Sequence, residues 1–202
     1  MPGSHLAAAA ALAAVLAACS SGDGGKTGAA GTTGATTTTA AAAAAAPPAD
    51  AGEAGFRLEL RGFGPVRVGM TVEQAGAALG RRLVPVITPP DEECATYGPE
   101  SGFDGIAFLV ARGVVVRTDV TAGPTSTADG LTIGQTEAEA QRRYGGRLAV
   151  GAHDYLVGGH YLTLIPDAPD DGFRLVAETD GTKVTGLRAG RMPEVEYSEG
   201  CL

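Results

Sequence analysis

The feature of this sequence that most constrains its fold is a self-similarity at an offset of 65 residues. Residues 68–71 read Val-Gly-Met-Thr, and residues 133–136 read Ile-Gly-Gln-Thr. In both copies the threonine is followed three positions later by an acid or amide side chain, Gln74 or Glu139. This spacing is a capping box, in which the threonine oxygen and the later side chain satisfy free N–H groups at a helix start. Each copy is therefore predicted to open a helix at its threonine.

Both predicted helices are short. Each copy reaches a glycine nine residues after its threonine, at Gly80 in the first and Gly145 in the second. Glycine readily adopts the left-handed conformation in which many helices end. The sequence therefore predicts two helices of about two turns each.

Strand patterns follow each predicted helix. Ile106–Ala111 and Val114–Val120 flank an Arg-Gly pair, and Phe173–Thr179 and 182–189 flank an Asp-Gly pair, which is a strong two-residue turn signal. Each copy therefore contains a predicted hairpin, and further strands are predicted at Leu83–Ile87, 94–97, 153–157 and 160–165.

Together these patterns predict an α+β fold made of two tandem repeats. Each repeat should be a short helix followed by about four antiparallel strands, and the repeats should form one sheet with both helices on one face and the other face open. The expected division of the chain is a signal peptide at 1–18, a tether at 19–54 and a single domain at 55–202, with repeat units at about 62–127 and 128–190 and a tail at 191–202.

The start of the chain resembles a lipoprotein export signal. Residues 6–18 form an uninterrupted apolar run of thirteen residues, which is too short to cross a hydrocarbon core of about 30 Å comfortably. The run ends in Leu-Ala-Ala-Cys at residues 16–19, which resembles the lipobox whose cysteine receives diacylglycerol. The first five residues carry no Lys or Arg, which departs from the usual basic start. We expect a lipid on Cys19 to attach the exported protein to the outer face of the cytoplasmic membrane.

Composition limits the partners of the domain. Residues 20–54 are rich in Gly, Thr, Ala and Pro and have too little large apolar surface to offset the entropy of ordering, so we expect a disordered tether. The chain carries a net charge of −8, of which −6 falls on residues 55–202. An acidic domain without a basic run is a poor partner for nucleic acid.

The three cysteines are accounted for if Cys19 is lipidated and Cys94 pairs with Cys201 in an oxidising compartment. This disulfide would tie the tail to the first repeat. Two free buried thiols are the alternative.

Catalytic and metal-binding signatures are absent from the sequence. The two histidines after the signal, His153 and His160, are expected to lie about 13 Å apart along a hairpin, too far to share one ion. We therefore expect no metal, no cofactor and no enzymatic activity. The remaining candidate is a binding surface on the open face of the sheet, where tyrosines often anchor partners; its candidate residues are Tyr97, Tyr155, Tyr161, Arg117 and Asp119.

The repeat resembles a superfamily that includes β-lactamase inhibitory protein and the small lipoprotein of the outer-membrane β-barrel assembly machinery. The resemblance rests on the Gly-x-Thr helix start, here Gly69 to Thr71 and Gly134 to Thr136, and on the Leu-Gly helix end at Gly80. The chain also resembles uncharacterised actinobacterial lipoproteins that carry a late Glu-Gly-Cys, here ending at Cys201. This resemblance implies a scaffold that binds proteins and does no chemistry.

The expected function is a lipid-anchored, extracytoplasmic binding or envelope-maintenance module, with a protein partner in the cell envelope. Two alternatives stay open. A secreted inhibitor of an envelope hydrolase would follow from the resemblance, and an enzyme would require a concave pocket that holds a group of strongly shifted pKa.

Overall fold

The computed structural model describes residues 55–87 and 93–201. The predicted signal peptide, the lipid-accepting Cys19 and the predicted tether lie outside the described residues.

Two α-helices and twelve β-strands make up the regular structure of the described residues. The helices are α1 (Val72–Leu79) and α2 (Glu137–Tyr144), and two single-turn 3-10 helices lie at Gly145–Arg147 and Glu194–Glu196. The strands are β1 (Arg57–Glu59), β2 (Gly62–Phe63), β3 (Val66–Arg67), β4 (Leu83–Ile87), β5 (Cys94–Pro99), β6 (Ile106–Ala111), β7 (Val114–Val120), β8 (Ser126–Thr127), β9 (Leu148–Ala152), β10 (His160–Leu164), β11 (Phe173–Thr179) and β12 (Val184–Arg191).

The predicted α+β class is wrong, because the described part of the chain is mostly β. Each α-helix has only eight residues, and the strands form two sheets rather than one. The two short helices were expected, and it is the four additional short strands of the second sheet that make the described residues mostly β. The second sheet was missed because its strands, β1, β2, β3 and β8, have only two or three residues each, too few to show an alternating pattern.

The larger sheet has eight strands in the order β4-β5-β6-β7-β12-β11-β10-β9, all antiparallel to their neighbours. Residues that pair directly across strands point to the same face. One row of such partners contains Phe108, Thr118, Ala189, Leu175 and Leu164. The apolar residues of this row belong to the main apolar core, which we place on the helix face of the sheet.

Both α-helices and the small sheet contribute to this core. Ala75 and Leu79 of α1 and Ala140 and Tyr144 of α2 are buried in it. Residues of the four-stranded sheet fill the same core, among them Leu58, Phe63 and Val66. The helix face is therefore covered by helices and by a second layer of short strands.

Both capping boxes are present. Thr71 and Thr136 are the N-caps, and each accepts a hydrogen bond from the backbone N–H of Gln74 or Glu139, whose side chain accepts one from the threonine N–H in return. The first helix ends at Gly80 in the left-handed conformation, as predicted. Gly145 ends the second helix in a different positive-φ conformation, and the chain continues there as a 3-10 turn.

Both predicted hairpins exist, β6 with β7 and β11 with β12. The strand predicted at 153–157 does not exist. The chain forms β9 at Leu148–Ala152 instead, because the 3-10 turn after α2 leads directly into this strand, and 153–159 is a loop. The expected geometry, in which His153 and His160 lie four positions apart along one hairpin, is therefore wrong.

The second face of the large sheet is not fully open, which corrects a further expectation. The tail after Met192 turns back over the central strands, and its 3-10 helix contacts β7, β11 and β12. We call this side the tail face. A second, smaller apolar cluster lies here, formed by Leu109, Ala111 and Val116 with the two half-cystines. Among the described residues, no helix is long and apolar enough to cross a membrane.

Candidate binding face

Two buried arginines on neighbouring strands organise the tail face. Arg117 lies on β7 and Arg188 on β12, and their side chains are only 7% and 6% exposed. Arg117 donates hydrogen bonds to the carbonyl oxygens of Glu194 and Tyr197 at 3.0 and 2.7 Å. Arg188 donates one to the carbonyl of Val195 at 2.8 Å. The arginines thereby hold the backbone of the tail on the sheet.

Carboxylates complete the coordination of both arginines. Asp119 accepts a hydrogen bond from Arg117 at 3.0 Å, and Glu178 accepts one from Arg188. Burial raises the pKa of Asp119, although the guanidinium groups of Arg117 and Arg188 favour its charged form. The two predicted surface residues Arg117 and Asp119 do share one face, but the tail covers Arg117.

Tyr161 lies beside this network on β10. Its ring stacks on His153 with centroids 4.5 Å apart, and the guanidinium of Arg188 lies 5.1 Å from its centroid. Glu178 on β11 is the cross-strand partner of Tyr161, and the Glu178 carboxylate lies 3.9 Å from a ring nitrogen of His153. Burial is the main cause that raises the pKa of Tyr161. Tyr161 is thus the predicted tyrosine that occupies the tail face.

The other two predicted tyrosines lie elsewhere. Tyr155 is in the loop between β9 and β10, is 61% exposed and donates a hydrogen bond to the carboxylate of Glu199 in the tail, a contact that raises the pKa of the tyrosine. Tyr97 pairs with Phe108, which places it on the helix face, where it packs against the main core. The structure therefore brings Tyr161, Arg117 and Asp119 to one face and leaves Tyr97 on the opposite one.

A cleft of about 360 Å³ opens on the tail face next to the tail. Arg188, Val176, Thr163 and Ala149 form one row of cross-strand partners along its floor, from β12 to β9. The full lining combines apolar, aromatic and charged side chains: Ala149, Val150, Gly151, Tyr161, Thr163, Ile165, Arg174, Val176, Arg188 and Glu196.

The two histidines point to opposite faces. His153 stacks on Tyr161 on the tail face, whereas the His160 ring is 3.0 Å from the carboxylate of Glu137 on α2. Burial alone would raise the pKa of Glu137, but hydrogen bonds from His160 and Thr179 outweigh burial and lower it. No group of three or more potential metal ligands occurs within residues 55–87 and 93–201.

The predicted disulfide is confirmed. Cys94 on β5 is bonded to Cys201, with the two Cα atoms 5.4 Å apart and a sequence separation of 107. Both half-cystines pack against Leu109 and Val116 in the smaller apolar cluster. The bridge therefore fixes the end of the tail on the first half of the sheet, while the arginines hold its beginning.

Sequence reasoning missed Arg188, Arg174 and Glu178. The signal for the last two was available, because Arg174 and Glu178 alternate with Leu175 and Ala177 within the predicted strand Phe173–Thr179. Arg188 carried the same signal, because it lies between Leu187 and Ala189 in the predicted strand 182–189.

No known protein family matches this sequence, and no curated protein matches it either. Among solved structures, the chain is similar to the uncharacterized protein YfeY from Escherichia coli, at 14% sequence identity. The alignment covers 67% of this chain and 99% of that chain, with a TM-score of 0.47.

Proposed function

We propose that this protein is a lipid-anchored, extracytoplasmic binding module without catalytic activity, and that it binds a protein partner of the cell envelope. The observation that carries the binding role is the cleft on the tail face. Its volume of about 360 Å³ is within the range of binding clefts, and its wall combines apolar area with a tyrosine and two arginines. Tyrosine and arginine are the side chains that most often dominate protein interfaces.

Two further observations support export. The first apolar run of the sequence ends in residues 16–19, which resemble a lipobox. The bond between Cys94 and Cys201 is also of a kind that persists mainly in oxidising compartments. The superfamily resemblance of the repeats also supports a binding scaffold.

The binding role is tested by crosslinking the full-length protein in its native envelope and recovering it with its partners. Thr163→Arg would place a long charged side chain in the cleft, and Ala77→Arg would place the same side chain on the exposed side of α1. A crosslinked partner should be recovered with wild type and Ala77→Arg and lost with Thr163→Arg. Recovery that is equal for all three proteins, or no partner at all, contradicts the proposal.

The anchor is tested separately with Cys19→Ser. Without the thiol no diacylglycerol can be attached, so the variant should be released or should accumulate as precursor. Detergent partition followed by immunoblotting measures this, with Ser20→Ala as the control that keeps the cysteine. Unchanged membrane attachment of Cys19→Ser would show that the lipid anchor does not exist.

A further inference from the structure

The two edges of the large sheet differ in how they are protected. β4 is one edge strand, and its centre contains Pro85, which cannot donate a backbone hydrogen bond to an added strand. β9 is the other edge, and its sequence Leu-Ala-Val-Gly-Ala contains neither a proline nor a charge. Natural sheets usually block such an edge, so an unblocked apolar edge suggests a use for it.

The outward hydrogen-bonding groups of β9 can be identified from its inner partners. Arg147 accepts a hydrogen bond from the Ile165 N–H, and the His153 N–H donates one to Gly159, so residues 147 and 153 both face the β10 side. Backbone groups alternate in direction along an antiparallel strand. The N–H and C=O groups of Leu148, Val150 and Ala152 therefore point away from the sheet.

The cleft on the tail face extends to this edge. The residues of β9 that point into it are the small Ala149 and Gly151, which pair with Thr163 and Tyr161 of β10. A Cβ atom built on Gly151 would meet no atom within 4 Å. The space beside Tyr161 and Thr163 is therefore open toward solvent along β9, and side chains from an added strand could enter it.

Exposed apolar surface is concentrated on the same hairpin. Within the described residues, five of the eight large apolar side chains that are exposed lie in the segment 150–165, from β9 to the residue after β10. Exposed apolar side chains grouped on one segment of the chain are a feature of interaction sites on soluble proteins. The five residues are Val150, Tyr155, Leu156, Val157 and Ile165.

We infer that β9 is a strand-addition site for an extended, apolar peptide segment of a partner protein. The inference rests on the proposed binding role and specifies the class of partner. The added strand hydrogen-bonds to Leu148, Val150 and Ala152, and its alternate side chains fill the cleft. A second copy of this chain fits less well, because pairing β9 with itself would set small residues, Ala149 and Gly151, beside the cleft and leave it empty.

The positive charge of Arg174 predicts one more property of the bound peptide. Arg174 lines the cleft near Ile165, and its guanidinium donates hydrogen bonds to the backbone carbonyls of Asp171 and Phe173. The described residues provide it with no ion pair. The bound segment should therefore carry a carboxylate at the end that lies next to Arg174.

The test measures binding of synthetic ten-residue peptides to the full-length protein by fluorescence anisotropy. The peptides alternate threonine with valine, isoleucine, leucine or phenylalanine, and each is made with glutamate or glutamine at one end. Val150→Pro removes an outward N–H without removing an inner hydrogen bond, and Gly151→Leu fills the cleft. Val150→Thr is the matched control, because it keeps the N–H and the branched shape.

At least one peptide should bind wild type and Val150→Thr with the same dissociation constant. Val150→Pro and Gly151→Leu should each weaken this binding about tenfold or more, and glutamate peptides should bind more tightly than glutamine peptides. Thermal unfolding of each variant verifies that it is folded.

Three outcomes overturn the inference: no peptide binds, binding is unchanged in Val150→Pro and Gly151→Leu, or wild type forms a dimer that Val150→Pro dissociates. The proposed function fails by a different result, which is equal recovery of partner with wild type, Ala77→Arg and Thr163→Arg, or recovery of no partner. If a partner is crosslinked through the cleft but its capture is unaffected by Val150→Pro, the binding module stands and the strand-addition site does not.

Discussion

Arg117 and Arg188 illustrate how this domain accommodates buried charge. Removing a charged group from water is costly unless hydrogen bonds replace the lost hydration. Each arginine has a carboxylate partner and also donates to carbonyl oxygens of the tail. These carbonyl oxygens belong to the 3-10 helix of the tail and to Tyr197 just after it, where no neighbouring strand bonds them. The same contacts therefore satisfy the arginines and the tail backbone.

Gly190 on β12 allows a close approach to β7, and its replacement by a larger residue should destabilise the fold. A Cβ atom on Gly190 would lie 2.3 Å from the carbonyl oxygen of Val116 and 2.7 Å from the Cα of Arg117. We expect Gly190→Ala to lower the free energy of unfolding by about 1–3 kcal/mol through overpacking. Gly151→Ala is the matched control, because its Cβ meets open space, and it should change stability by less than about 0.5 kcal/mol. Urea unfolding measures both, and equal effects would contradict the steric argument.

Glu194 should make the attachment of the tail to β12 sensitive to acid, because its carboxylate accepts hydrogen bonds from Arg191. Burial alone would raise its pKa, but hydrogen bonds from Arg191 and from the backbone outweigh burial and keep the pKa below its ordinary value of 4.5. A carboxylate whose pKa is lowered by folding stabilises the protein above its unfolded pKa, and this contribution is lost as the pH falls through the folded pKa.

The stability difference between wild type and Glu194→Gln should therefore be largest above about pH 5 and should shrink steadily as the pH falls below about 4.5. Urea unfolding at a series of pH values from about 3 to 7 measures this difference. Exposed Glu196→Gln in the same tail provides the control. A difference that grows in acid would show that the sign of the pKa shift is wrong.

At the scale of elements, the helices depend on their first turns because they are so short. A helix of eight residues cannot gain much from propagation after its nucleus forms. In α2 the Thr136 hydroxyl accepts from the Glu139 N–H at 3.2 Å, and the Glu139 carboxylate accepts from the Thr136 N–H at 2.7 Å. Hydrogen bonding to Thr136 lowers the pKa of Glu139, which keeps the capping carboxylate charged.

We expect Thr136→Ala to lower the free energy of unfolding by about 1 kcal/mol, because the N-cap oxygen is lost and orphan N–H groups remain at the start of α2. Thr136→Ser keeps that oxygen and should recover most of the loss. Urea unfolding compares the three proteins. Equal destabilisation by serine and alanine would indicate that Thr136 acts through its methyl group instead.

For the whole molecule, the disulfide and the two arginines act on the same segment from opposite ends. Cys201 is bonded to β5 in the first half of the large sheet, whereas Arg188 lies on β12 in the second half. The tail therefore spans the junction of β7 with β12, where the two halves of the sheet meet.

Replacing Cys94 and Cys201 together with serine should lower the free energy of unfolding by about 4–5 kcal/mol on the chain-entropy model, since the bond closes a loop of about 108 residues. The amides of the tail should also exchange with deuterium faster than in wild type. Urea unfolding and hydrogen exchange measure these effects, with Glu196→Gln as a tail variant that keeps the bond. Unchanged exchange in the double variant would show that the arginines hold the tail without the disulfide.

Local features were determined by the sequence alone. The capping boxes indicated both helix starts, the Arg-Gly and Asp-Gly pairs indicated both hairpins, and the count of three cysteines indicated the disulfide. These features depend on residues close in sequence or on a pairing with few alternatives, so their physical cause is visible in the chain itself.

The tertiary structure decided the rest. Strands of two or three residues gain their partners only through packing, so no sequence pattern indicated the second sheet, whose strands make the described residues mostly β. The face of Tyr97, the burial of Arg117 under the tail and the cleft beside β9 depend on which strands become neighbours. Residues far apart in sequence make these contacts, and no local propensity specifies them.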